Sequence, residues 1–216
     1  MTWKVAGWVA GALAVALGAW TAGSLYIVSG VEEAKYTVIK SAVTGSPAGY
    51  ELRRYEPSIV AQTSMPSMGD TGTAFRAIAG YIFGGNEKLE QIAMTPPVVM
   101  NAPPVSEKIA MTAPVVMGAA TMAFVMPSKY KSIADLPKPK DERVTLVAVP
   151  ARTFAALRFG WYATPARFAG KAGKLEHLLA RDGVRALSKP YLASYNPPFS
   201  MPLLIRHDVL IEVEGQ

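Results

Sequence analysis

The chain has no cysteine and only two histidines among its 216 residues. The first absence excludes disulfides, zinc-thiolate sites, iron–sulfur clusters and a thiol nucleophile together. The second leaves His177 and His207 as the whole supply of imidazole for proton transfer or metal ligation. No Ser/His/Asp grouping, HExxH helix, glycine-rich phosphate loop or close carboxylate pair is visible. "FGGN" at 83–86 reads as a helix stop and not a phosphate cradle, because no strand feeds a helix from it. Charge of either sign is missing from Val5 to Val31.

That uncharged run, "VAGWVAGALAVALGAWTAGSLYIVSGV", exceeds the roughly 20 apolar residues a membrane-spanning helix needs. Lys4 and the α-amino group precede it, and Glu32, Glu33 and Lys35 follow. Positive charge stays on the cytoplasmic side, so the expected orientation is N-terminus in, with the remainder outside. A cleaved signal peptide is the rival reading. Its apolar core is usually about 7–15 residues and ends in a small-residue site, and this run is longer and has no such clean site. Trp3, Trp8, Trp20 and Tyr26 lie near its ends or one turn inside, as interfacial aromatics often do. The expectation is an uncleaved anchor over 1–31 and a domain over 32–216.

Half of the residues are hydrophobic, enough for a sizeable core. Twenty-two Lys and Arg against sixteen Asp and Glu leave a net charge of +6, which favours anionic ligands or lipid headgroups. The basic residues are scattered and form no nucleic-acid stripe, so no nucleic-acid partner is expected.

Strands are expected at 35–43, 50–65, around "TMAFVMPSKY", at "RVTLVAVP", "ARTFAALRFG" and "YLASYN", and at "LIRHDVLIEV". Pro57 implies an edge or a bulge in the second of these. A first short helix is predicted where Phe75, Ile78, Ala79 and Ile82 recur at helical spacing, capped by Thr73 or Asp70 and stopped by Gly84, Gly85 and Asn86. In a second helix Thr164 and Pro165 supply the N-cap and first position, Asp182 and Gly183 the end. Phe168, Ala172, Leu175 and Leu179 form its buried stripe, and His177 points away. Strand, helix, strands, then the same again, suits an α+β domain of two similar halves, with a mixed or antiparallel sheet curled over two helices.

The sequence also writes one segment twice: "IAMTPPVVM" from Ile92 to Met100 and "IAMTAPVVM" from Ile109 to Met117. An antiparallel hairpin that sets Ile92 against Met117, Val98 against Met111 and Met100 against Ile109 gathers the bulky residues on one face. Pro97 and Pro114 force a bend or an edge in it. Two uses of this methionine face stay open, adaptable core filler and a soft wall for a large flat ligand. On the last strand Ile205, His207, Val209, Ile211 and Val213 share one face; Arg206, Asp208, Glu212 and Glu214 share the other. His207 is either a hydrogen-bonded core residue or a metal ligand.

"YELRRYEPSIVAQT", the helix ending in "GGN", "KIAMTAPVVM", "MAFVMP", "RFGW" and "YNPPFSMPLLIRHDVLIEV" together resemble the SOUL haem-binding protein family, from Lys35 to Val213. The resemblance implies a twisted barrel-like sheet flanked by two helices, from a βαββ duplication. It implies haem or another tetrapyrrole as ligand, in a groove beside the first helix and the loop near "YNPPF". Some members are thought to use an axial histidine, others basic residues for the propionates. No histidine precedes 177, so a first-half axial ligand is absent here. By the resemblance, Arg76 could pair with a propionate or stand as a solvated arginine, and Gly80 would admit a flat ring. Tyr81, Phe199, Met201 and Leu203 are candidate groove walls. His207 stands, between Arg206 and Asp208, where the family commonly has an Arg-Asn-Glu-like turn, and it is the candidate metal ligand.

The resulting expectation is a haem trafficking, storage or sensing module, single-pass in a bacterial inner membrane, with its domain on the periplasmic side. The competing expectations are a tetrapyrrole-modifying or haem-degrading enzyme, and a small-molecule effector or protein-interaction domain.

Overall fold

The structure, a computed structural model, describes residues 15, 18–23, 32–41, 49–65, 70–88, 91–92, 95–101, 121–196 and 200–214. Nine strands follow in chain order: β1 Tyr36–Ser41, β2 Glu51–Tyr55, β3 Ser58–Ser64, β4 Thr95–Asn101, β5 Thr121–Val125, β6 Thr145–Val149, β7 Arg152–Gly160, β8 Tyr191–Ser194 and β9 Arg206–Glu212. Helix α1 (Thr71–Ile82) lies between β3 and β4, and α2 (Pro165–Arg181) between β7 and β8. All strand pairs are antiparallel, in one sheet of order β1-β2-β7-β9-β8-β4-β5-β3-β6. The mixed sheet left open by the sequence is therefore an antiparallel one.

The order contains the expected repeat. Outward from the β8–β4 junction, β8, β9 and β7 on one side match β4, β5 and β3 on the other, each set carrying one helix between its first and second strands in the chain. The halves also exchange a strand. β2 pairs with β7 and β6 with β3, although β2 runs into β3 through Glu56 and Pro57, and β6 into β7 through Pro150 and Ala151. Proline has no N–H for a ladder, so each proline ends pairing on one side of the sheet and lets the chain cross. Pro57 is thus a strand break and not a bulge in one long strand. Two linking residues span at most about 11 Å. Strands second and eighth in the sheet are therefore neighbours in space, and the sheet curls into a half-barrel.

One face of the sheet carries both helices. Ala74, Ala77, Ile78, Tyr81 and Ile82 of α1 bury against Ile59, Ala61, Met122 and Phe124. Ala172, Leu175, Leu178 and Leu179 of α2 bury against Leu52, Ala155, Leu157, Val209 and Ile211, with Phe168 packed on the rim. Each fully buried leucine stabilises by about 1.5–3 kcal/mol relative to exposure. Thr164 accepts a hydrogen bond from the Arg167 backbone N–H at 3.3 Å and Pro165 begins α2. His177 is exposed, as its helical phase requires. Asp70, not Thr73, occupies the N-cap of α1.

Among the described residues no helix lies on the opposite face, yet Arg53, Ala156, Ala193, Tyr195, Asp208 and Leu210 are buried. The curl of the sheet encloses them, so this face is the inside of the half-barrel.

β4 corrects the hairpin expectation. Over Val98–Met100 one edge pairs with β5 and the other with β8, so no edge is left for the second copy of the repeat. That copy lies outside the described residues. Pro96 and Pro97 sit where the β4–β5 register shifts, the bend required of them. Met100 packs against both helix-side clusters and Ile92 is buried among the α1 set, which gives those two repeat positions a core role. Among the described residues no helix is long and apolar enough to cross a membrane. The run Val5–Val31 is described only at 15 and 18–23, so the anchor expectation falls outside them.

Candidate functional site

The C-terminus of α1 is built for a sharp stop. Gly85 donates its backbone N–H to the Gly80 carbonyl at 2.7 Å, and Asn86, fully buried, donates its side-chain amide to the Tyr81 carbonyl at 3.1 Å. This stop then receives the proline- and lysine-rich loop. Glu87 N–H donates to the Lys138 carbonyl at 3.0 Å, Lys140 N–H to the Gly85 carbonyl at 3.2 Å, and Tyr81 Oη to the Pro137 carbonyl at 2.9 Å. A β-bridge joins Asn86 to Pro139.

Between helix and loop lies a cleft of about 570 Å³, lined by Thr73, Arg76, Ala77, Gly80, Tyr81, Gly85, Lys140, Asp141 and Arg143. Its volume is within the roughly 300–1,000 Å³ range of small-molecule sites. Three cations face one carboxylate. Arg143 holds Asp141 at 2.6 Å and, by its hydrogen bonds, keeps that carboxyl down at about 2. Arg76 and Lys140 are exposed, and a Cβ added at Gly80 would meet nothing within 4 Å. Gly85 differs: a Cβ there would lie 2.6 Å from the Gly80 carbonyl oxygen, a backbone atom that cannot swing away. Gly85→Ala should therefore cost about 1–3 kcal/mol by overpacking, read as a lower denaturant midpoint at unchanged slope. A midpoint equal to wild type would show that the helix stop yields freely.

Of the residues singled out in the sequence, the cleft brings together Arg76, Gly80 and Tyr81. Tyr81 is buried at 1% exposure, so it anchors the loop more than it walls the cleft. Lys140 and Arg143 were not singled out. Neither carries a motif of its own, and nothing in a loop's composition says what it docks against. Met201, Leu203 and His207 lie elsewhere, at the β7–β9 end of the sheet, where the turn Pro202–Leu204 leads into β9. Phe199 falls outside the described residues.

His207 projects from β9 on the α2 side. Its Nδ1 lies 2.9 Å from Ser194 Oγ, its ring packs on Phe159 at 5.2 Å between centroids, and the Trp161 backbone supplies a further hydrogen bond. Burial pushes the imidazole below its ordinary value, so it is neutral at pH 7. Among the described residues no cluster of three His, Cys, Asp or Glu could hold a metal ion.

Inside the half-barrel lies a charged group that strand alternation had placed on the polar face of β9. Arg53 Nη1 meets Asp208 Oδ2 at 2.6 Å, with Arg53 1% and Asp208 0% exposed. Arg206 approaches the same carboxylate at 3.4 Å and Arg158 at 3.6 Å. Arg53 also meets Glu51 at 2.7 Å and lies over the Tyr36 ring, while Arg206 stacks 3.8 Å from the Tyr195 ring centroid. Burial alone would raise the Asp208 carboxyl; Arg53 and Arg206 outweigh it and hold it below its ordinary value.

The model of one protein family, described as SOUL heme-binding protein, matches residues 31–212. Heme-binding protein 1 of Xenopus tropicalis is 26% identical over 152 residues, which are 69% of this chain and 76% of that protein. The EcmrR C-terminal domain superposes with a TM-score of 0.57 at 10% identity, covering 79% of this chain and 100% of that one. An uncharacterized conserved protein from Listeria innocua gives 0.51 at 13% identity, covering 85% and 94%. At such identities the likeness shows the fold alone. The family match runs from the end of the apolar N-terminal segment to the end of β9, and the chain belongs to the SOUL heme-binding protein family.

Proposed function

We propose that the domain binds haem or a related tetrapyrrole in the cleft between α1 and the 137–143 loop, for trafficking, storage or sensing. The observation that carries this reading is the set of three cations, Arg76, Lys140 and Arg143, around an open patch at Gly80. A flat macrocycle with carboxylate side groups needs a surface without a large protruding side chain and cations at its rim. Haem-binding family membership and the likeness to heme-binding protein 1 favour that ligand class. Hemin added to the full-length chain in detergent is expected to give a shifted, saturable Soret band relative to detergent alone, with a Kd of about 1 μM or below. A spectrum identical to the detergent reference would overturn the reading.

The described lining of the cleft holds no histidine, cysteine or methionine, and Tyr81 Oη is engaged by Pro137. The residues thus fit the macrocycle and its carboxylates and offer the iron no protein ligand of their own. His207 is assigned to the core here, by its Ser194 and Phe159 contacts. His207→Ala should leave the hemin spectrum unchanged while lowering stability; loss or displacement of the Soret band would make it the ligand after all.

The run Val5–Val31 is proposed as the anchor, single-pass in a bacterial inner membrane with 32–216 on the periplasmic side. Its support is the absence of charge over a length that spans, with Lys4 before it and Glu32 and Glu33 after.

A further inference from the structure

We propose that the end of the half-barrel formed by Trp161, Tyr162 and the Pro202–Leu204 turn rests in the interfacial layer of the membrane, so that the domain lies against lipid instead of swinging on a tether. This rests on the reading of Val5–Val31 as a membrane anchor.

Three large side chains stand out at this end: Leu203 is 74%, Trp161 45% and Tyr162 44% exposed. They adjoin one another through the sheet. Gly160 pairs with Arg206 at the last rung of β7–β9; Trp161 follows the first and the Leu203 turn precedes the second. Trp161 and Tyr162 meet edge to face at 6.0 Å. Trp161 is also, among the described residues, the one non-glycine with positive φ, 69°. A bulky side chain is disfavoured there, and strain of that kind persists where the surrounding structure enforces it, often at functional positions.

Two contacts tie this end to the apolar run and to the residues just after it. Thr21 Oγ1 donates to Met201 Sδ at 3.1 Å, and Arg206 Nη1 donates to Glu33 at 3.0 and 3.2 Å. A helix needs about 20 residues to cross the hydrocarbon. Counted from Val5, where the uncharged run begins, about that many residues reach Ser24, three beyond Thr21, so the anchor reading sets Met201 near the boundary between hydrocarbon and headgroups. Tryptophan and tyrosine favour that layer because each ring has an apolar body and a polar edge. Glu32 accepts from the Ser128 N–H at 3.3 Å, which brings exposed Lys129 and Lys131 to the same end as exposed Arg158 and Arg167. Cations so placed are drawn to anionic headgroups.

The natural absence of cysteine makes the test clean. Leu203→Cys and Leu187→Cys are each introduced into the full-length chain, labelled with an environment-sensitive fluorophore and reconstituted in phosphatidylethanolamine–phosphatidylglycerol vesicles. Leu187 is the comparison because it is also exposed, at 48%, and bonds Glu212 at the far end of β9, about 20 Å from Arg206. The label at 203 should emit blue-shifted, lose most of its emission to spin-labelled lipid and resist aqueous iodide, with the label at 187 the reverse. If 203 is as open to iodide as 187 while the chain stays with the vesicles through an alkaline wash, the anchor stands and the proposal falls. Protection at 203 from both quenchers means that protein covers the patch, and also overturns it. Release by the wash removes anchor and proposal together.

Discussion

Asp208→Ala should lower the stability of the domain by about 3–5 kcal/mol, the usual cost of stripping one partner from a buried ion pair. The carboxylate is fully buried and its partner Arg53 is 1% exposed, so the guanidinium left behind has no route to water. Glu51 remains beside Arg53, but Arg206 and Arg158 lose their shared partner as well. Such a loss is a large fraction of the roughly 5–15 kcal/mol that holds a domain folded. It is read as a fall in the denaturant midpoint of the full-length chain. The pair itself need not be a net stabiliser, since hydrophobic replacements of both partners are often neutral or better. Arg53→Met with Asp208→Leu should therefore recover most of what Asp208→Ala loses, and keeps the test informative if the single variant fails to fold. A single variant within about 1 kcal/mol of wild type would mean that water reaches the pair.

The same carboxylate sets an acid limit. The folded value of Asp208 lies below the ordinary 3.8, so its contribution is complete above that value and disappears as pH falls through the lower one. Stability should decline below about pH 4, and Asp208→Ala should flatten that part of the profile. Asp141, held down to about 2, contributes little to this slope because its partner Arg143 is 62% exposed and the pair is screened by solvent.

The helices were legible because each writes its signals locally. Thr164–Pro165 opens α2, the Phe168, Ala172, Leu175 and Leu179 stripe faces the core, and "GGN" stops α1. The two-half plan followed from the order of these elements. Arg53 and Asp208 were not legible. Period-two alternation divides a strand into faces without saying that both are enclosed, and in this sheet the polar face of β9 is the inside of the curl. The repeat misled for a related reason. Similar segments close in sequence suggest a hairpin, yet β4 finds its partners in β5 and in β8, the latter about 90 residues on, where the two halves of the sheet join. Pro57 gave a true local signal, an interrupted ladder, whose consequence was global. Of the cleft's lining, the family resemblance pointed to Arg76 and Gly80, whereas Lys140 and Arg143 reach it only through backbone bonds from the loop to Gly85 and Glu87.

Filling the space over Gly80 should weaken hemin binding sharply without harming the fold. A glycine inside a helix costs about 0.5–1 kcal/mol relative to alanine, and nothing in the packing demands one at 80, since a Cβ there meets open space. Gly80→Ala should therefore be as stable as wild type or slightly more so, with hemin affinity little changed. Gly80→Phe puts a ring where the macrocycle would lie, and should weaken hemin binding about a hundredfold or more, roughly 2.7 kcal/mol. Reversing the rim charges acts differently. Arg76→Glu with Lys140→Glu leaves the surface open and replaces attraction by repulsion, a change of about 1–2 kcal/mol at exposed positions, or roughly five- to thirtyfold in Kd. That effect should shrink at about 1 M salt, where the screening length is about 3 Å against 10 Å at 0.1 M, while the Gly80→Phe effect should not. Hemin titrations of the three variants at both ionic strengths separate shape from charge. If Gly80→Phe binds hemin like wild type, the ligand lies elsewhere on the domain. If the double rim reversal is silent at low salt, the cations beside α1 are ordinary surface charge.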